Sequence, residues 1–261
     1  MSNTRTEPVR RLLLSDIDGT FIYGNQVPPD NYRAVREFEA AGNFFSFATG
    51  RDEREIHIIE PAMREIMNAP AVMCNGAYLY DFQAEERLEA LTLDPVYAYD
   101  LLHKIEAKFG RTYTRLTFQD RWHHYYDEPD DGILDQTWLK IIIGGKSDYL
   151  DAIRDYVRAI ADGRVFCCKS GPELLEILNP SASKGEMLRR LRRRLEARGI
   201  ALKVYAIGDF ENDISMLQQA DVSACPANAA AAVKAAADYE MGDCREGAVA
   251  QFIDRILQGD I

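Results

Sequence analysis

An apolar run that ends in two aspartates is the feature that most constrains this chain. Residues 12–14 are three leucines with the character of a buried strand, and Asp16 and Asp18 follow before Gly19 and Thr20. Side chains two residues apart on an extended chain point the same way, so both carboxylates can face one reacting centre. Unpaired charges beside a core are costly, and a bound cation would offset that cost. The alternative is a strand that ends in an ordinary Asp-Gly turn, but five such residues in this order are rare by chance, which favours a site.

Strand-like and helix-like segments alternate after this point. Strands are expected at residues 12–15, 44–48 and 71–74. Asp30 and Asp52 are expected to cap the helices between them, the second in a capping box with Glu55. This order is typical of a parallel sheet covered on both faces by helices, and ligands in such sheets bind beyond the carboxyl ends of the strands. Four polar side chains fall there: Asp16, Asp18, Thr49 and Asn75.

The pattern changes at about residue 82, where the order helix-strand-strand appears twice. The expected strands are 91–93, 112–118, 122–126, 138–143, 164–169 and 174–178, the helices are 96–109 and 147–161, and an acidic loop lies at 127–131. This order predicts a small antiparallel sheet backed by two helices. We therefore expect an α/β protein with a Rossmann-like parallel-sheet core at residues 1–81 and 181–261, interrupted by an inserted α+β unit at 82–180.

Two further motifs follow the return to the core. Ser183 and Glu186 predict a capping box that places Lys184 at the first position of a helix, where an anion is well accommodated. A strand at 203–207 then leads into residues 208–213, a second strand end rich in acidic residues. The helix after Lys184 carries six arginines between Arg189 and Arg198, which fit either a nucleic-acid patch or a solvated helix face; the acidic chain favours the solvated face.

The composition excludes several classes of protein. A net charge of −11 argues against nucleic-acid binding, because phosphate backbones need a basic surface. The five cysteines are odd in number and lack metal-type spacing, so we expect reduced thiols. Residues 1–11 have no apolar signal-peptide core, and no run approaches the roughly 18 apolar residues of a membrane span. We expect a soluble cytoplasmic protein without nucleic-acid or membrane partners, and the sequence does not indicate an oligomeric state.

The acidic motifs together form a set of hard oxygen ligands. The set comprises Asp16, Asp18 and Asp209, with Asn212 and Asp213 behind them. No histidine or cysteine accompanies these motifs, which favours Mg²⁺ over Zn²⁺, and Mg²⁺ commonly shares its coordination with a substrate phosphate. Thr49 and Lys184 supply donors for that phosphate. With the phosphate charge screened, one carboxylate can attack phosphorus while a second serves as general acid and base.

These motifs resemble those of the haloacid dehalogenase-like (HAD) hydrolase superfamily, in its Cof-like branch with a type IIB cap. The matching segments are Asp16-Ile17-Asp18-Gly19-Thr20, Thr49-Gly50-Arg51, Asn75-Gly76-Ala77, Ser183-Lys184-Gly185 and Gly208-Asp209 through Asn212-Asp213. They occur in the family's order and spacing, and the match extends over nearly the full length. The resemblance implies the HAD fold, with residues 82–180 as a mobile cap that selects the leaving group.

The resemblance also implies roles for individual residues. Asp16 would be the nucleophile and Asp18 the general acid and base, with Lys184 as a further catalytic residue. Mg²⁺ would be held by Asp16, the backbone carbonyl of Asp18 and Asp209, with Asp213 as a ligand or orienting residue. The phosphate-binding residues would be Thr49, Gly50, Lys184, Asn75 and Asn212.

The residues that contact the leaving group are harder to assign. The candidates are Arg115, Arg121, Trp122, His123, His124 and Tyr125, and the turn at 119–121 is the preferred one. Three functions stay open. The leading one is a Mg²⁺-dependent phosphatase of small phosphorylated metabolites, such as sugar phosphates or pyridoxal phosphate, acting through an aspartyl-phosphate. The others are a phosphomutase or phosphotransferase that uses the same intermediate and a non-catalytic sugar-phosphate sensor.

Overall fold

The computed structural model describes residues 9–126 and 132–261, so the acidic loop expected at 127–131 lies outside the described residues. The strands are β1 (Arg10–Ser15), β2 (Phe44–Phe47), β3 (Ala71–Met73), β4 (Tyr78–Asp81), β5 (Glu86–Ala90), β6 (Tyr113–Phe118), β7 (Trp122–His124), β8 (Trp138–Gly144), β9 (Phe166–Gly171), β10 (Leu174–Leu178), β11 (Leu202–Ile207), β12 (Val222–Cys225) and β13 (Tyr239–Glu240). The helices are α1 (Pro29–Ala40), α2 (Glu53–Ile59), α3 (Pro95–Phe109), α4 (Ser147–Ile160), α5 (Lys184–Glu196), α6 (Ile214–Gln219), α7 (Ala231–Lys234) and α8 (Ala248–Gln258). None of the described helices combines the length and the apolar character needed to cross a membrane.

A five-stranded parallel sheet forms the core, in the order β13-β12-β11-β1-β2. Strand β1, which lies between β11 and β2, is buried on both faces because its leucines alternate between two apolar clusters. Leu13 packs in the cluster that contains Phe38 of α1 and Phe252 of α8. Leu12 and Leu14 pack in the other cluster, which contains residues of α5 and α6. The expected parallel sheet with helices on both faces is confirmed.

Strand β3 continues this sheet beyond β2 through one parallel bridge, between Ala48 and Val72. It also begins a three-stranded antiparallel sheet, β3-β4-β5, that the sequence did not predict. The strand expected at 91–93 is wrong, since Leu93 makes only an isolated bridge to Trp138. The sequence of β5, Glu-Arg-Leu-Glu-Ala, has low strand propensity, and its pairing with β4 overrides that preference.

A second five-stranded sheet is antiparallel, in the order β7-β6-β8-β10-β9. Helices α3 and α4 cover one face, where apolar residues of the sheet join the helices in a single cluster. The opposite face carries Arg115, Lys140, Ile142 and Glu176, which line a cavity against the parallel sheet. We call these four residues the cavity face. The predicted antiparallel sheet with two helices is observed, and the division into a core and an inserted unit at 82–180 remains a prediction.

The ends of the helices agree only in part with the predicted caps. Asp52 and Glu55 form the full capping box at the start of α2. Asp30 does not cap α1, because that helix begins at Pro29 and leaves Asp30 inside its first turn. At α5 the predicted box is half formed.

The half of the α5 capping box that is missing is the hydrogen bond from the backbone N–H of Ser183 to the Glu186 side chain. The Ser183 hydroxyl accepts from the backbone N–H of Glu186 at 3.0 Å, as expected. The carboxylate of Glu186 pairs with Arg189 and Arg190 instead.

The loop after β3 packs tightly against the start of α5. Gly76 has φ +92°, and a Cβ placed on it would lie 2.1 Å from the carbonyl oxygen of Ser183. Only a glycine tolerates both the backbone conformation and this approach. The contact brings the Asn75 and Lys184 segments together at one edge of the core.

We predict that Gly76→Ala lowers the free energy of unfolding by roughly 2–5 kcal/mol, as the sum of left-handed strain and overpacking. Gly42→Ala is the matched control, since Gly42 has φ +84° but nothing within 4 Å of its added Cβ. The control should show only the strain, about 1 kcal/mol. Urea unfolding measures both variants, and equal losses would contradict the predicted clash.

Candidate active site

A cavity of about 480 Å³ separates the carboxyl edge of the parallel sheet from the cavity face of the second sheet. From the parallel-sheet side it is lined by Asp16, Asp18, Gly19, Gly50, Arg51, Glu55, Asp209, Phe210 and Asn212. From the second sheet it is lined by the cavity face together with Ser170, Gly171, Pro172 and Leu174. A ligand site beyond the strand ends is the expected position in such a sheet.

The ammonium of Lys184 holds two carboxylates at the base of this site. Its Nζ donates to Asp16 Oδ1 at 2.6 Å and to Asp213 Oδ1 at 2.5 Å, and the lysine is fully buried. Burial favours the neutral amine, but the two carboxylates raise the pKa of Lys184 above its usual value. The second oxygen of Asp213 accepts from the backbone N–H groups of Asp209 and Phe210 at 3.0 and 3.1 Å. Lys184 therefore joins the start of α5 to the end of β1 and to the loop after β11 through charged hydrogen bonds.

Three carboxylates converge beside the Lys184 ammonium. Oxygens of Asp16, Asp209 and Asp213 lie within 4.8 Å of one another. Burial and the neighbouring Asp213 raise the pKa of Asp209 to about 7. Burial likewise raises the pKa of Asp16, against the opposing effect of Lys184. Because one ammonium faces three carboxylates, this all-oxygen cluster has the charge and the donor atoms to hold a metal ion.

Gly19 and Thr20 support the cluster from the turn after β1. The hydroxyl of Thr20 donates to Asp209 Oδ1 at 3.0 Å. A Cβ on Gly19, which has φ +80°, would lie 2.4 Å from the other Asp209 oxygen. Glycine is thus required for Asp209 to approach the turn.

The carboxylate of Asp18 lies in a different environment from the carboxylate of Asp16. Strand β1 ends at Ser15, and the turn that follows closes on the carbonyl of Ile17, which accepts from Phe21 and Ile22. The alternation of side chains along the extended strand therefore does not continue to Asp18. The Asp18 side chain is 50% exposed. Both of its oxygens accept from Arg51, at 2.7 and 2.6 Å. Asp18 still lines the cavity, but its carboxylate lies outside the three-carboxylate cluster.

The loops after β2 and β3 contribute neutral polar groups. Thr49 is fully buried, and its carbonyl accepts from the N–H of Asn75 at 2.8 Å. The side chain of Asn212 donates to Asn75 Oδ1 at 2.9 Å. Asn75 Nδ2 and Asn212 Oδ1 are buried and have no hydrogen-bond partner. Since buried polar atoms are normally paired, this donor and this acceptor are suited to a bound ligand.

All the residues that the sequence proposed for the site lie at this edge of the molecule. Those that line the cavity are Asp16, Asp18, Gly50, Asp209 and Asn212, and those behind its surface are Thr49, Asn75, Lys184 and Asp213. Of the proposed leaving-group residues, Arg115 lines the cavity. The preferred turn at 119–121 does not; Arg121 instead donates to Gln136 and lies over the ring of Phe118.

Sequence reasoning missed Lys140 and Glu176. Lys140 Nζ is buried and donates to the carbonyl of Gly50 at 2.5 Å and to Glu176 Oε2 at 2.8 Å. Glu176 Oε1 accepts from the hydroxyl of Ser170 at 2.6 Å. The available signal was one charged residue inside each of two apolar strands, at 138–143 and 174–178.

Comparisons with known proteins find relatives over nearly the full length of this chain. A model of the haloacid dehalogenase-like hydrolases matches residues 13–128 and 110–253. A pyridoxal phosphate phosphatase of Escherichia coli is 28% identical, covering 93% of this chain and 97% of its own. A 5-amino-6-(5-phospho-D-ribitylamino)uracil phosphatase of Bacillus subtilis is 26% identical, covering 97% and 98%. A solved HAD subclass IIB sugar phosphatase has the same fold, with a TM-score of 0.77 and 19% identity over 96% of this chain and 100% of its own.

We predict that Asp209→Asn stabilises the chain when divalent cations are removed with EDTA. The substitution relieves repulsion among three clustered carboxylates and keeps an oxygen to accept from Thr20. The free energy of unfolding should rise by roughly 0.5–2 kcal/mol at pH 8. Asp254→Asn removes an equal charge from an exposed site 3.8 Å from Arg33, and its change should stay within about 0.5 kcal/mol. A less stable Asp209→Asn variant would show that repulsion does not dominate the cluster.

Proposed function

This chain belongs to the haloacid dehalogenase-like hydrolase family, and on that premise we propose that it is a Mg²⁺-dependent phosphatase of small phosphorylated metabolites. The observation that carries the proposal is the position of Asp16. Its carboxylate lines the cavity, belongs to the three-carboxylate cluster and is held by Lys184. A nucleophile for phosphoryl transfer requires such access together with a fixed orientation.

The residues that would hold Mg²⁺ are Asp16, Asp209 and Asp213, with the backbone carbonyl of Asp18. A bound Mg²⁺ would screen the negative charge of the phosphate and so allow a carboxylate to approach phosphorus. Hard oxygen donors suit this ion, and three carboxylates around one ammonium leave negative charge for it to neutralise.

The proposed chemistry uses two aspartates in turn. Asp16 attacks phosphorus and forms an aspartyl-phosphate, while the bond from phosphorus to the leaving oxygen breaks. Asp18, protonated at this stage, gives its proton to that oxygen. As a carboxylate it then takes a proton from a water molecule, which attacks the aspartyl-phosphate and regenerates Asp16.

Arg51 links this sequence of steps to substrate binding. Its guanidinium donates to both oxygens of Asp18, at 2.7 and 2.6 Å. A substrate phosphate is a competing partner for the guanidinium. We expect phosphate binding to draw Arg51 away from Asp18 and leave the Asp18 carboxyl group free to face the leaving oxygen.

The phosphate would be bound by the loops at the strand ends. Thr49 and Gly50 provide a hydroxyl and a backbone N–H at the end of β2. Asn75 Nδ2 is a donor without a partner, and Asn212 keeps it in place through Asn75 Oδ1. Lys184 balances the charge of Asp16 behind the phosphate.

Residues 82–180 would form the cap over this site. The cavity face of the second sheet lies opposite the strand ends, where a leaving group would extend. The free state of all five cysteines and the net charge of −11 fit a cytoplasmic enzyme that acts on small metabolites rather than on nucleic acid.

We predict that phosphate release from phosphorylated metabolites requires Mg²⁺ and falls at least about 10³-fold in Asp16→Asn, because the amide is a far weaker nucleophile. Asp254→Asn should keep the wild-type rate. The measurement is inorganic phosphate release across a substrate panel, combined with mass spectrometry of acid-quenched enzyme to detect a phosphoryl group on Asp16.

The other outcomes separate the alternative functions. A phospho-enzyme without phosphate release would point to a phosphotransferase or phosphomutase that needs an acceptor. Substrate binding without either product would point to a sugar-phosphate sensor. Each result would overturn the phosphatase assignment.

We predict further that Mg²⁺ raises the thermal midpoint of the wild-type chain. When the Mg²⁺ concentration is 100 times the dissociation constant, the free energy of unfolding rises by about 2.7 kcal/mol. Asp209→Asn should lose most of this Mg²⁺-dependent stabilisation because it removes a metal ligand. Asp254→Asn should keep it. An unchanged wild-type midpoint at millimolar Mg²⁺ would contradict the metal site.

A further inference from the structure

Three strands present neighbouring side chains at the end of the cavity where a leaving group would lie. Arg115 of β6 and Glu176 of β10 both pair in register with Ile142 of β8, so the three lie side by side. Pro172 and Leu174 add apolar surface from the second sheet. This end therefore combines an apolar floor with charged groups on either side.

Each cation that lines the described cavity is already paired with a carboxylate. Arg115 donates to Glu55 at 3.0 Å, with side chains only 19% and 16% exposed. Lys140 pairs with Glu176 at 2.8 Å, and Arg51 pairs with Asp18. Arg51 lies beside the proposed phosphate site, so the leaving-group end is left with the two pairs of Arg115 and Lys140.

A second anionic group on the leaving alcohol would have to displace one of these carboxylates. The pairs have little exposure to water, so a displaced Glu55 or Glu176 would lose its counterion without regaining full hydration. A neutral alcohol requires no such displacement. The hydrogen-bonding capacity that remains, at Arg115 Nε and Asn212 Oδ1, suits neutral hydroxyl and carbonyl groups.

We propose that this cavity selects phosphate esters of neutral alcohols and rejects esters whose alcohol carries a carboxylate or a second phosphate, and that the Arg115–Glu55 pair determines this selection. The proposal rests on the proposed phosphatase function and names the substrate class for the same site. Glu55 acts by neutralising Arg115, and Arg115 is the group that an anionic leaving group would otherwise recruit.

The structure holds Arg115 and Glu55 in position from several directions. The guanidinium of Arg115 lies 5.4 Å from the centre of the Trp122 ring, and Trp122 Nε1 donates to Asp52. Glu55 is fixed by the capping box, in which its Oε2 accepts from the N–H of Asp52 at 3.0 Å. Gln is an accepted residue at this capping position, so Glu55→Gln keeps the helix start and removes the charge.

The test compares substrates that differ in one charge. The pairs are glycerol 3-phosphate with 3-phosphoglycerate, and glucose 6-phosphate with 6-phosphogluconate. The methyl ester of 3-phosphoglycerate restores a neutral leaving group without removing atoms. The wild-type kcat/KM should favour each neutral member at least about tenfold, and the methyl ester should group with the neutral compounds.

Glu55→Gln should reduce this preference about tenfold or more by raising kcat/KM for the anionic members, because it frees the charge of Arg115. Arg115→Gln and the double variant Glu55→Gln/Arg115→Gln should show no such gain. Glu53→Gln is the matched control: it removes the same charge from the same helix, but Glu53 pairs with Arg87 and does not line the cavity. The Glu53→Gln variant should show the same preference for neutral esters as the wild type.

The outcomes separate this inference from the proposed function. Phosphate release at equal rates from neutral and anionic esters would overturn the inference and leave the phosphatase function intact. A gain that persists in the double variant would overturn the role of Arg115, since it would come from the loss of negative charge alone. No release from any ester would instead refute the proposed function. The wild-type comparison needs no variant, so it tests the selection even if Glu55→Gln fails to fold.

Discussion

The buried ammonium of Lys184 is the interaction on which the rest of the site depends. It joins the end of β1 to the loop after β11 through Asp16 and Asp213, residues nearly 200 positions apart along the chain. Without a counterion, two carboxylates so close together and so deeply buried would repel each other strongly. One ammonium cannot neutralise the third carboxylate, Asp209. The same interaction therefore fixes the geometry of the cluster and leaves it able to attract a cation.

The loop after β2 connects this cluster to the second sheet. Lys140 crosses from the second sheet to the carbonyl of Gly50, next to the buried Thr49. The capping box of α2 begins two residues farther on. Its Asp52 accepts a hydrogen bond from Trp122, and its Glu55 accepts one from Arg115. A helix start thus serves also as the contact point for the sheet that closes the cavity. The position of the second sheet and the shape of the loop after β2 depend on each other.

The predictable part of the structure is the part set by local pattern. Buried parallel strands need continuous apolar residues, and acidic residues directly after them mark the site, so Asp16 and Asp209 could be placed from the sequence. The orientation of Asp18 could not, because the turn on Ile17 rotates it toward Arg51. Lys140 and Glu176 each look like an isolated charge within an apolar strand. Their pairing follows from strand register and buried contacts, which a single sequence does not reveal.

Several features that break local rules lie in or directly behind the cavity. Cys74 and Asn75 adopt positive φ values of 50° and 54° without being glycine. Asn75 Nδ2 and Asn212 Oδ1 are buried without partners, and burial with a neighbouring carboxylate raises the pKa of Asp209. Each of these features costs stability. Costs of this kind persist at one edge of a well-packed fold when that edge is shaped for binding rather than for stability.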